Sequence, residues 1–301
     1  MPRGPVVSPA DLSDRPAACR ALFAHLPTPD RDRRAARALD LLASGEFDPA
    51  GLLVARSAGR VVGAALTQLH PGSAAVAWPP EAEPGPERDT AVESLAWAAA
   101  ERLRAAGVKQ AQALLPPADR DRARPLEAVG FRHVTRLVFL CRPVAPTAFD
   151  AERSPLRFTP AGGPAFADTL SATYEGTLDC PELNGTRTPD EVLAGYRAAA
   201  GDPPDWWLAS AQAEPAGVLM LAPGPQPGVV ELSYLGLVPA VRGRGLGREL
   251  VRFALTRAAA SAAEWLTLSA DVRNEPALRV YRAHGFREYD LQDVFLWHPA
   301  D

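Results

Sequence analysis

Glycine and arginine alternate in the short stretch 242–248, which reads Arg-Gly-Arg-Gly-Leu-Gly-Arg. The mostly apolar segment 229–238 before it is predicted to form a strand, and apolar residues at helical spacing follow it. The glycines therefore lie in a turn that leads from a strand into a helix. The N–H groups of a helix's first turn have no partner inside the helix, and the helix dipole adds partial positive charge there. Because glycine has no side chain, an anion can approach this backbone closely, so the stretch predicts a phosphate or pyrophosphate site.

The spacing of the loop excludes two common phosphate sites. A P-loop ends in Gly-Lys-Ser/Thr, whereas here Gly247 is followed by Arg248 and Glu249. A dinucleotide fingerprint GxGxxG that started at Gly243 would need its third glycine where Arg248 stands. The alternatives are a surface turn or an RGG-type nucleic-acid segment. RGG segments are repeated and disordered, whereas this stretch occurs once, between a strand and a helix.

The loop fits a different pattern, Arg/Gln-x-x-Gly-x-Gly/Ala, through Arg242, Gly245 and Gly247. In this it resembles the GNAT acyltransferases, whose loop of this form holds the pyrophosphate of acetyl-coenzyme A (acetyl-CoA). Residues 274–286 also resemble the motif Asn-x-x-Ala-x-x-x-Tyr-x-x-x-Gly-Phe of the same superfamily. The resemblance implies acetyl-CoA as co-substrate and no metal. It assigns the coenzyme contacts to the end of the strand, the loop and the asparagine of the second motif: Leu237, Val238, Arg242, Gly243, Arg244, Gly245, Leu246, Gly247, Arg248 and Asn274.

The tyrosine of the second motif is Tyr281. The resemblance implies that its hydroxyl lies near the thioester sulfur and protonates the leaving thiolate. A phenol with a pKa near 10 still holds that proton at neutral pH. The alternative is that Tyr281 only packs beside Leu278, one turn earlier on the predicted helix 275–284. The glycine loop upstream favours the catalytic role.

Glu231 is a carboxylate in an otherwise apolar strand. Burial there would raise its pKa, so it is the candidate base that deprotonates an acceptor amine. Mycothiol synthase, a tandem enzyme of this superfamily, is distantly similar in having a catalytic Glu at the matching position. The alternative is a Glu that faces solvent near the strand start. Under strict alternation Ser233 shares the face of Glu231, and Tyr234 points the other way. Gly236 would tolerate a β-bulge.

A loop rich in functional groups, 174–185, connects the first two helices predicted in the second half of the chain. Glu175, Asp179 and Glu182 of this loop would attract a cationic amine. The predicted substrate contacts are Glu175, Asp179 and Ser233. A solvated loop without such a role is the alternative. Cys180 has no histidine partner evident in the sequence, so a core or loop thiol is expected there.

The order of strands, helices and turns in the first half recurs in the second. The hairpin glycines Gly63 and Gly217 are 154 residues apart, and the Gly-Phe pairs beginning at Gly130 and Gly285 are 155 apart. This agreement predicts a duplication joined by the proline-containing linker 143–155.

We therefore expect a mixed α/β (α+β) fold of two tandem GNAT-like domains, each a mostly antiparallel sheet flanked by helices. The predicted domains are 1–145, which is degenerate, and 153–301, which carries the acetyl-CoA site.

The first half departs from both motifs. The position of the glycine loop falls in the predicted loop 79–86, where residues 81–87 contain one glycine, two prolines and three glutamates. Prolines have no N–H to offer, and carboxylates would repel a pyrophosphate. In the predicted helix 120–129, Leu126 or a neighbour holds the place of the tyrosine. This half is predicted to bind no coenzyme there and to be structural or to wall off the substrate site.

Composition narrows the function classes. The net charge of −4 argues against general nucleic-acid affinity, which needs a basic surface. Three distant cysteines with no CxxC pair favour a reducing cytoplasm over a disulfide framework or a zinc site. Residues 1–5 lead into no apolar segment, so no signal peptide is expected, and no apolar run approaches membrane-spanning length.

The sequence thus predicts a cytoplasmic, acetyl-CoA-dependent N-acetyltransferase of a small-molecule amine, monomeric or homodimeric, with no nucleic-acid or membrane partner. One alternative is an acetyltransferase of protein N-termini or lysines. Another is a non-catalytic CoA-binding sensor or interaction module. A third, nucleic-acid binding through the arginines of the loop, would show a steep dependence on salt.

Overall fold

The computed structural model describes residues 4–146 and 148–299. Residues 1–3, on which part of the signal-peptide expectation rests, lie outside the described residues, as do residue 147 of the predicted linker and residues 300 and 301. No helix within the described ranges is both long and apolar enough to cross a membrane.

The chain forms two compact units of similar construction. One contains the chain up to Val134 together with the chain from Asp293 onward, and the other contains Thr135–Gln292. In each unit five strands follow one another across the sheet in antiparallel, antiparallel, antiparallel and parallel pairs, and an antiparallel strand completes it. The predicted fold class, mostly antiparallel mixed sheets flanked by helices, is confirmed.

The first unit contains most of the strands and helices up to β7. Their bounds are β1 Val6–Pro9, α1 Arg15–Ala21, α2 Thr28–Ser44, β2 Leu52–Ser57, β3 Arg60–His70, β4 Ala74–Ala77, β5 Glu81–Ala82, α3 Arg88–Ala105, β6 Gln110–Leu115 and α4 Arg124–Glu127. The sheet runs β1-β2-β3-β4-β6. Its sixth position is taken by residues 293–297, which pair antiparallel with β6.

The second unit repeats this order. Its bounds are β7 Arg132–Pro143, β8 Leu156–Pro160, α5 Gly163–Thr173, α6 Pro189–Ala199, β9 Asp205–Ala211, β10 Glu214–Pro223, β11 Val229–Leu237, α7 Leu246–Ala260, β12 Trp265–Asp271, α8 Glu275–Ala283 and β13 Arg287–Trp297. The sheet runs β8-β9-β10-β11-β12-β7. One core packs α7 and α8 on one face of the sheet, and another packs α5 and α6 on the other.

The last strands of the two halves are exchanged. Strand β7, expected to close the domain 1–145, pairs along its length with β12 of the second unit. The end of β13, expected to close the domain 153–301, pairs with β6 of the first unit. The compact units therefore do not follow the expected boundaries. The sequence pattern fixes where a strand is, but not which sheet edge it joins.

Four further elements differ from the predicted ones. The opening strands β1 and β8 are short and are not marked by alternation, and neither was predicted. The helix predicted at 120–129 is a 3₁₀ helix over Pro117–Ala123 followed by only one turn, α4. The loop predicted at 79–86 contains β5, which pairs with β3 at Gly63 and Ala64.

Trp297 anchors the exchanged end of β13. Its side chain is 1% exposed, and its Nε1 donates to the carbonyl of Val129 at 3.2 Å. We expect Trp297→Ala to lower the free energy of unfolding by about 3–5 kcal/mol, because a large buried ring leaves a cavity. Hydrogen exchange should report the loss at β6. Tyr289→Ala, in the exposed first half of the same strand, is the control. Protection lost mainly at β10 and β11 would contradict the strand's assignment to the first unit.

Candidate active site

Strands β11 and β12 part from each other in the middle of the second unit. They pair in parallel only from Val229 to Glu231, against Trp265 to Thr267, although β11 continues to Leu237 and β12 to Asp271. Beyond Glu231 the facing backbone groups of the two strands lie along a gap. A strand edge of this kind offers N–H and C=O groups to an extended ligand.

The glycine loop lies at the end of β11 and leads into α7. Gly243 and Gly245 have positive φ of 75° and 80°, and Gly245 is the N-cap of α7. A Cβ built on Gly243, Gly245 or Gly247 would meet no heavy atom within 4 Å. The space over the helix N-terminus is therefore open, and in the helical ladder the first N–H groups point into it. The loop fits a bound phosphate group, as predicted.

Two arginines of the loop add positive charge beside this backbone. Arg244 and Arg248 are exposed, and neither forms an ion pair with the residues that the structure describes. The backbone N–H of Arg248 already bonds the carbonyl of Gly245 at 3.1 Å, so the N–H groups before it are the ones that face outward. Leu246 is buried in the core below and anchors the turn.

Arg242 does not face the loop's open side. Its Nε donates to the carbonyl of Leu237 at 3.0 Å, and its two terminal nitrogens donate to the carbonyls of Gly176 and Thr173 at 3.0 and 2.8 Å. The guanidinium thus binds carbonyls at the C-terminal end of α5, where a cation suits the helix dipole. The expectation that Arg242 holds the coenzyme needs correction: in this structure it latches the loop to α5.

The two strand residues predicted to contact the coenzyme differ in what they can offer. The N–H of Val238 donates to the carbonyl of Ala216 at 2.9 Å and so faces β10. Successive N–H groups of a strand point to opposite sides, so the N–H of Leu237 points away from β10, toward the gap. Of this pair, Leu237 is the one with a donor available to a ligand.

Tyr281 lies on α8 with its side chain 7% exposed, in the core that α7 and α8 form with the sheet. Its ring packs edge-on against Phe286, with centroids 5.8 Å apart. Burial raises its pKa, and the nearby groups Asp179 and Tyr234 raise it further. The hydroxyl therefore keeps its proton throughout the physiological range.

Strand β11 contains its bulge at Ser233, not at Gly236. Tyr234 pairs with Met220 and Leu232 pairs with the next residue of β10, so Ser233 is the extra residue. Gly236 has another role, because a Cβ there would come within 2.8 Å of the Thr173 Cβ. Its missing side chain makes room for α5.

The bulge changes which side chains share a face. Leu232 and Leu235 both lie in the core with α7 and α8, and Tyr234 lies in the core with α5 and α6. Glu231, next to Leu232, therefore points to the same side as Tyr234. The prediction that Tyr234 points away from Glu231 was made for a strand without a bulge, and the bulge at Ser233 removes that condition.

Glu231 is half-buried and has no hydrogen-bond or ion-pair partner among the described residues. Burial alone raises its pKa. It pairs with Thr267 of β12, which in turn pairs with Cys141 of β7, so these side chains form a row on one sheet face. Tyr289, 57% exposed, is close enough to the row for the charge of Glu231 to raise its pKa. Glu231 thus lies at the base of the gap, on a face that a small ligand can reach.

Asp179 of the connecting loop lies at the end of β12. Its Oδ1 accepts the N–H of Asp271 at 2.9 Å, and its side chain also hydrogen-bonds to Asn274. Burial raises its pKa, and the neighbouring charge of Asp271 adds to the increase. Asn274 also accepts the N–H of Ala277 at 3.4 Å as the N-cap of α8. Its predicted contact with the coenzyme therefore competes with two bonds that it already makes.

Asp271, which the sequence analysis did not single out, holds this corner together. Its side chain is fully buried and accepts hydrogen bonds from Arg273 at 2.6 Å, Thr135 at 2.8 Å and the N–H of Cys180 at 3.1 Å. Burial would raise its pKa, but the bonds from Arg273 outweigh burial and lower it. A usable signal was present: an aspartate directly after an apolar strand, with an arginine two residues later.

Two features around the connecting loop remain to be described: the carboxylate of Glu175 and a cluster of three side chains around Cys180. Glu175 is exposed at the end of α5, and the structure brings no partner from the described residues to its carboxylate. Asp179, Cys180 and Asp271 have potential metal-ligand atoms within 4.8 Å of one another. Both oxygens of Asp271 are bonded by Arg273, so a guanidinium already supplies the positive charge at that cluster.

In the first unit, a buried carboxylate of the chain lies at the position that corresponds to the end of β11. Glu81 is 2% exposed, accepts from Arg122 Nε at 2.6 Å, and lies 3.4 Å from His25 Nδ1. The 155-residue offset aligns Glu81 with Gly236 at the end of β11. Burial raises the pKa of Glu81, whereas burial and the charge of Arg122 lower that of His25 to about 4. Glu81 is thus an internal ion-paired group and not part of an exposed acidic loop, as the sequence had suggested.

Comparison with protein families assigns the segment that contains this site. Residues 170–286 match the model of the acetyltransferase (GNAT) family. The match includes the gap, the glycine loop and α8. No curated protein matches the sequence.

Solved structures match nearly the whole chain. A GCN5-related N-acetyltransferase from Sphaerobacter thermophilus is 16% identical, with a TM-score of 0.65 over 99% of this chain and 96% of that one. A tandem GNAT protein from the clavulanic acid biosynthesis pathway is 17% identical, with a TM-score of 0.53 over 99% of both chains. A fungal GCN5-related glucosamine N-acetyltransferase region is 14% identical, with a TM-score of 0.66 over 99% of this chain and 38% of that one. These likenesses show the fold, and the distant resemblance to mycothiol synthase stays a prediction.

The Asp271 network yields a stability prediction. Asp271→Asn should lower the free energy of unfolding by about 3 kcal/mol, because it removes the charge of a fully buried carboxylate that accepts hydrogen bonds from Arg273, Thr135 and the N–H of Cys180. Glu182→Gln, which breaks only the outer, half-exposed contact of Arg273, should cost about 1 kcal/mol or less. Because the pKa of Asp271 is lowered by folding, its contribution is complete above the ordinary Asp pKa and fades as pH falls further. Urea unfolding at pH 7 and pH 3 would test both points, and equal losses in the two variants would contradict the assignment.

Proposed function

We propose, from the match of residues 170–286 to the acetyltransferase (GNAT) family model, that the protein transfers an acetyl group from acetyl-CoA directly to the amine of a small molecule. Acetyl-CoA is the co-substrate that this family generally uses. The observation that carries the proposal is the open glycine loop at the N-terminus of α7, at the end of the gap between β11 and β12. The proposal includes a cytoplasmic location, which suits three unpaired cysteines.

The loop and the gap would hold the coenzyme. The backbone of residues 243–247 and the side chains of Arg244 and Arg248 suit its phosphates, and the N–H of Leu237 suits its extended arm. Bound there, acetyl-CoA supplies the activated acyl group as a thioester. Much of the rate then comes from holding that group and the acceptor in register.

Two side chains are assigned to the reaction. Glu231 takes the proton from the acceptor amine, because it is a half-buried, unpaired carboxylate at the base of the gap. Tyr281 donates a hydrogen bond from its hydroxyl to the departing sulfur, because burial keeps the hydroxyl protonated at all physiological pH values. Asp179 and Ser233 border the same region, and Glu175 is placed at the outer end of α5.

The coenzyme site can be tested without knowing the acceptor. Gly247→Glu should abolish the thermal shift that acetyl-CoA gives the wild type, because it puts a carboxylate into the open space over the helix N-terminus. At about 100 times its Kd, the ligand should stabilise the wild type by about 2.7 kcal/mol. Gly247 has an ordinary φ, so the unliganded variant should melt within a few degrees of wild type.

The first unit offers a matched control for this test. Gly85 lies in the counterpart loop and likewise has open space at its Cβ and no positive φ. Gly85→Glu should leave the acetyl-CoA shift intact. A shift lost in Gly85→Glu and kept in Gly247→Glu would move the coenzyme site to the first unit. No shift in wild type would remove the coenzyme from the proposal.

The roles assigned to Tyr281 and Glu231 predict effects on turnover that are separate from effects on coenzyme binding. Tyr281→Phe and Glu231→Gln should each lower kcat by about 10²–10⁴-fold, the usual size of general acid or base catalysis. Both should keep the acetyl-CoA thermal shift. Unchanged turnover in both variants would remove these roles, and coenzyme binding without turnover of any amine would favour a non-catalytic CoA-binding module.

Glu231 also predicts a pH dependence. Its carboxylate must be ionised to accept a proton, and burial raises its pKa, so its activity is lost as pH falls through that raised value. The ratio of wild-type to Glu231→Gln kcat/KM should rise with pH and then level off. The ionisation of the amine cancels in this ratio because both enzymes share it. A ratio independent of pH from 4 to 9 would contradict the assignment of the base.

A further inference from the structure

Arg187 is a half-buried arginine without the hydrogen-bond and ion-pair partners that buried arginines usually have. Its Nε is fully shielded from solvent and has no hydrogen-bond partner in the described part of the chain. None of the carboxylates within residues 4–146 and 148–299 forms an ion pair with it. Arginine is rarely buried without an anion, because loss of hydration costs more than packing returns.

The local structure explains why the chain leaves this cation unpaired. Arg187 comes directly before Thr188, the N-cap of α6. The nearest acid along the helix, Glu191, closes the capping box by accepting the N–H of Thr188 at 2.8 Å. That acid therefore caps the helix and leaves the guanidinium to its other neighbours.

Those neighbours are tyrosines that pack beside strand β11. The charge of Arg187 acts on the hydroxyls of Tyr174 and Tyr196, which hydrogen-bond to each other. The rings of Tyr174 and Tyr196 pack on Tyr234 of β11, with centroids 5.5 and 5.9 Å away. The charge of Arg187 thus reaches the tyrosines that pack on the strand that carries Glu231.

This part of the second unit therefore contains a cation, Arg187, and an anion, Glu231, that both lack a partner among the described residues. Glu231 lies on the same face of β11 as Tyr234, three positions before it, and has no partner in the described residues. A strand advances about 3.3 Å per residue, so Glu231 lies about 10 Å along β11 from Tyr234, on which the tyrosines near Arg187 pack. An acceptor that carried only an amine would satisfy one end and leave the other without a counter-ion.

We infer that the acceptor is a small amine that also carries a carboxylate, with the carboxylate held by Arg187 and the amine directed to Glu231. The inference rests on the proposed acetyl transfer and names its substrate class. A guanidinium binds a carboxylate through two parallel hydrogen bonds, and one arginine balances one negative charge. A phosphate would carry more charge than this single arginine supplies.

The test compares acids with their matched amides. The probes are glycine, 4-aminobutyrate and 6-aminohexanoate against the corresponding carboxamides, with 2-aminoethyl phosphate as the phosphate probe. Wild type should prefer at least one acid over its amide by tenfold or more in kcat/KM. Arg187→Gln should bring that ratio close to one, mainly by raising KM for the acid, and Arg187→Lys should restore part of it. The acetyl-CoA thermal shift should stay unchanged in all variants.

Arg197, exposed on the same helix, is the control: Arg197→Gln should keep the full preference. Equal rates for acids and amides, a preference kept in Arg187→Gln, or a larger effect with the phosphate would each overturn the inference. If no amine is acetylated, the proposed function fails, and thermal shifts of the acetyl-CoA-loaded protein then decide the inference alone. In that case the acids must stabilise wild type more than the amides do, and Arg187→Gln must abolish the difference.

Discussion

The parting of β11 and β12 after three paired residues is the constraint on which the second unit depends. A sheet gains stability from closing such a gap, and an open one leaves backbone groups without partners. The structure keeps the gap open from both sides. Arg242 binds the end of β11 to α5, and the buried Asp271 binds the end of β12 to Arg273 and to the connecting loop. Each brace joins a strand end to a neighbour other than the opposite strand, so neither can relax by re-forming the ladder.

The first unit places a carboxylate of the chain where the second unit has Gly236. There Glu81 lies in a two-residue strand on β3 and accepts a hydrogen bond from Arg122. Such a buried pair is a weak source of stability, but removing one partner of it is costly. The prediction that this half binds no coenzyme therefore rests on the buried Glu81–Arg122 pair as well as on the missing glycines.

The sequence predicted well the features that local chemistry determines: the turn with three glycines, the strand before it, the helix after it and the duplicated order of elements. What it missed depends on pairing between distant segments. The bulge at Ser233 is set by the register against β10, and nothing in the residues around it marks that register. Likewise Arg242 fits a phosphate motif by spacing, yet its guanidinium binds carbonyls of α5, which only the folded chain brings near. The exchange of β7 and β13 depends on which sheet edge each strand joins. The alternation of apolar and polar residues along a strand does not predict that edge.

The pKa of Tyr281, compared with that of a thiol, limits what Tyr281 can do in the proposed reaction. Its phenol is a weaker acid than an ordinary tyrosine, because burial and the nearby Asp179 both disfavour the phenolate. A thiol is normally more acidic than a phenol, so complete proton transfer from Tyr281 to a free thiolate would be uphill. A hydrogen bond that strengthens as negative charge develops on the sulfur needs no such transfer, and it acts best in a buried, preorganised site. Tyr281 is therefore better suited to stabilise the departing sulfur by donating a hydrogen bond than to lose its proton outright. Glu231, whose pKa is raised by burial, is the group suited to take up a proton.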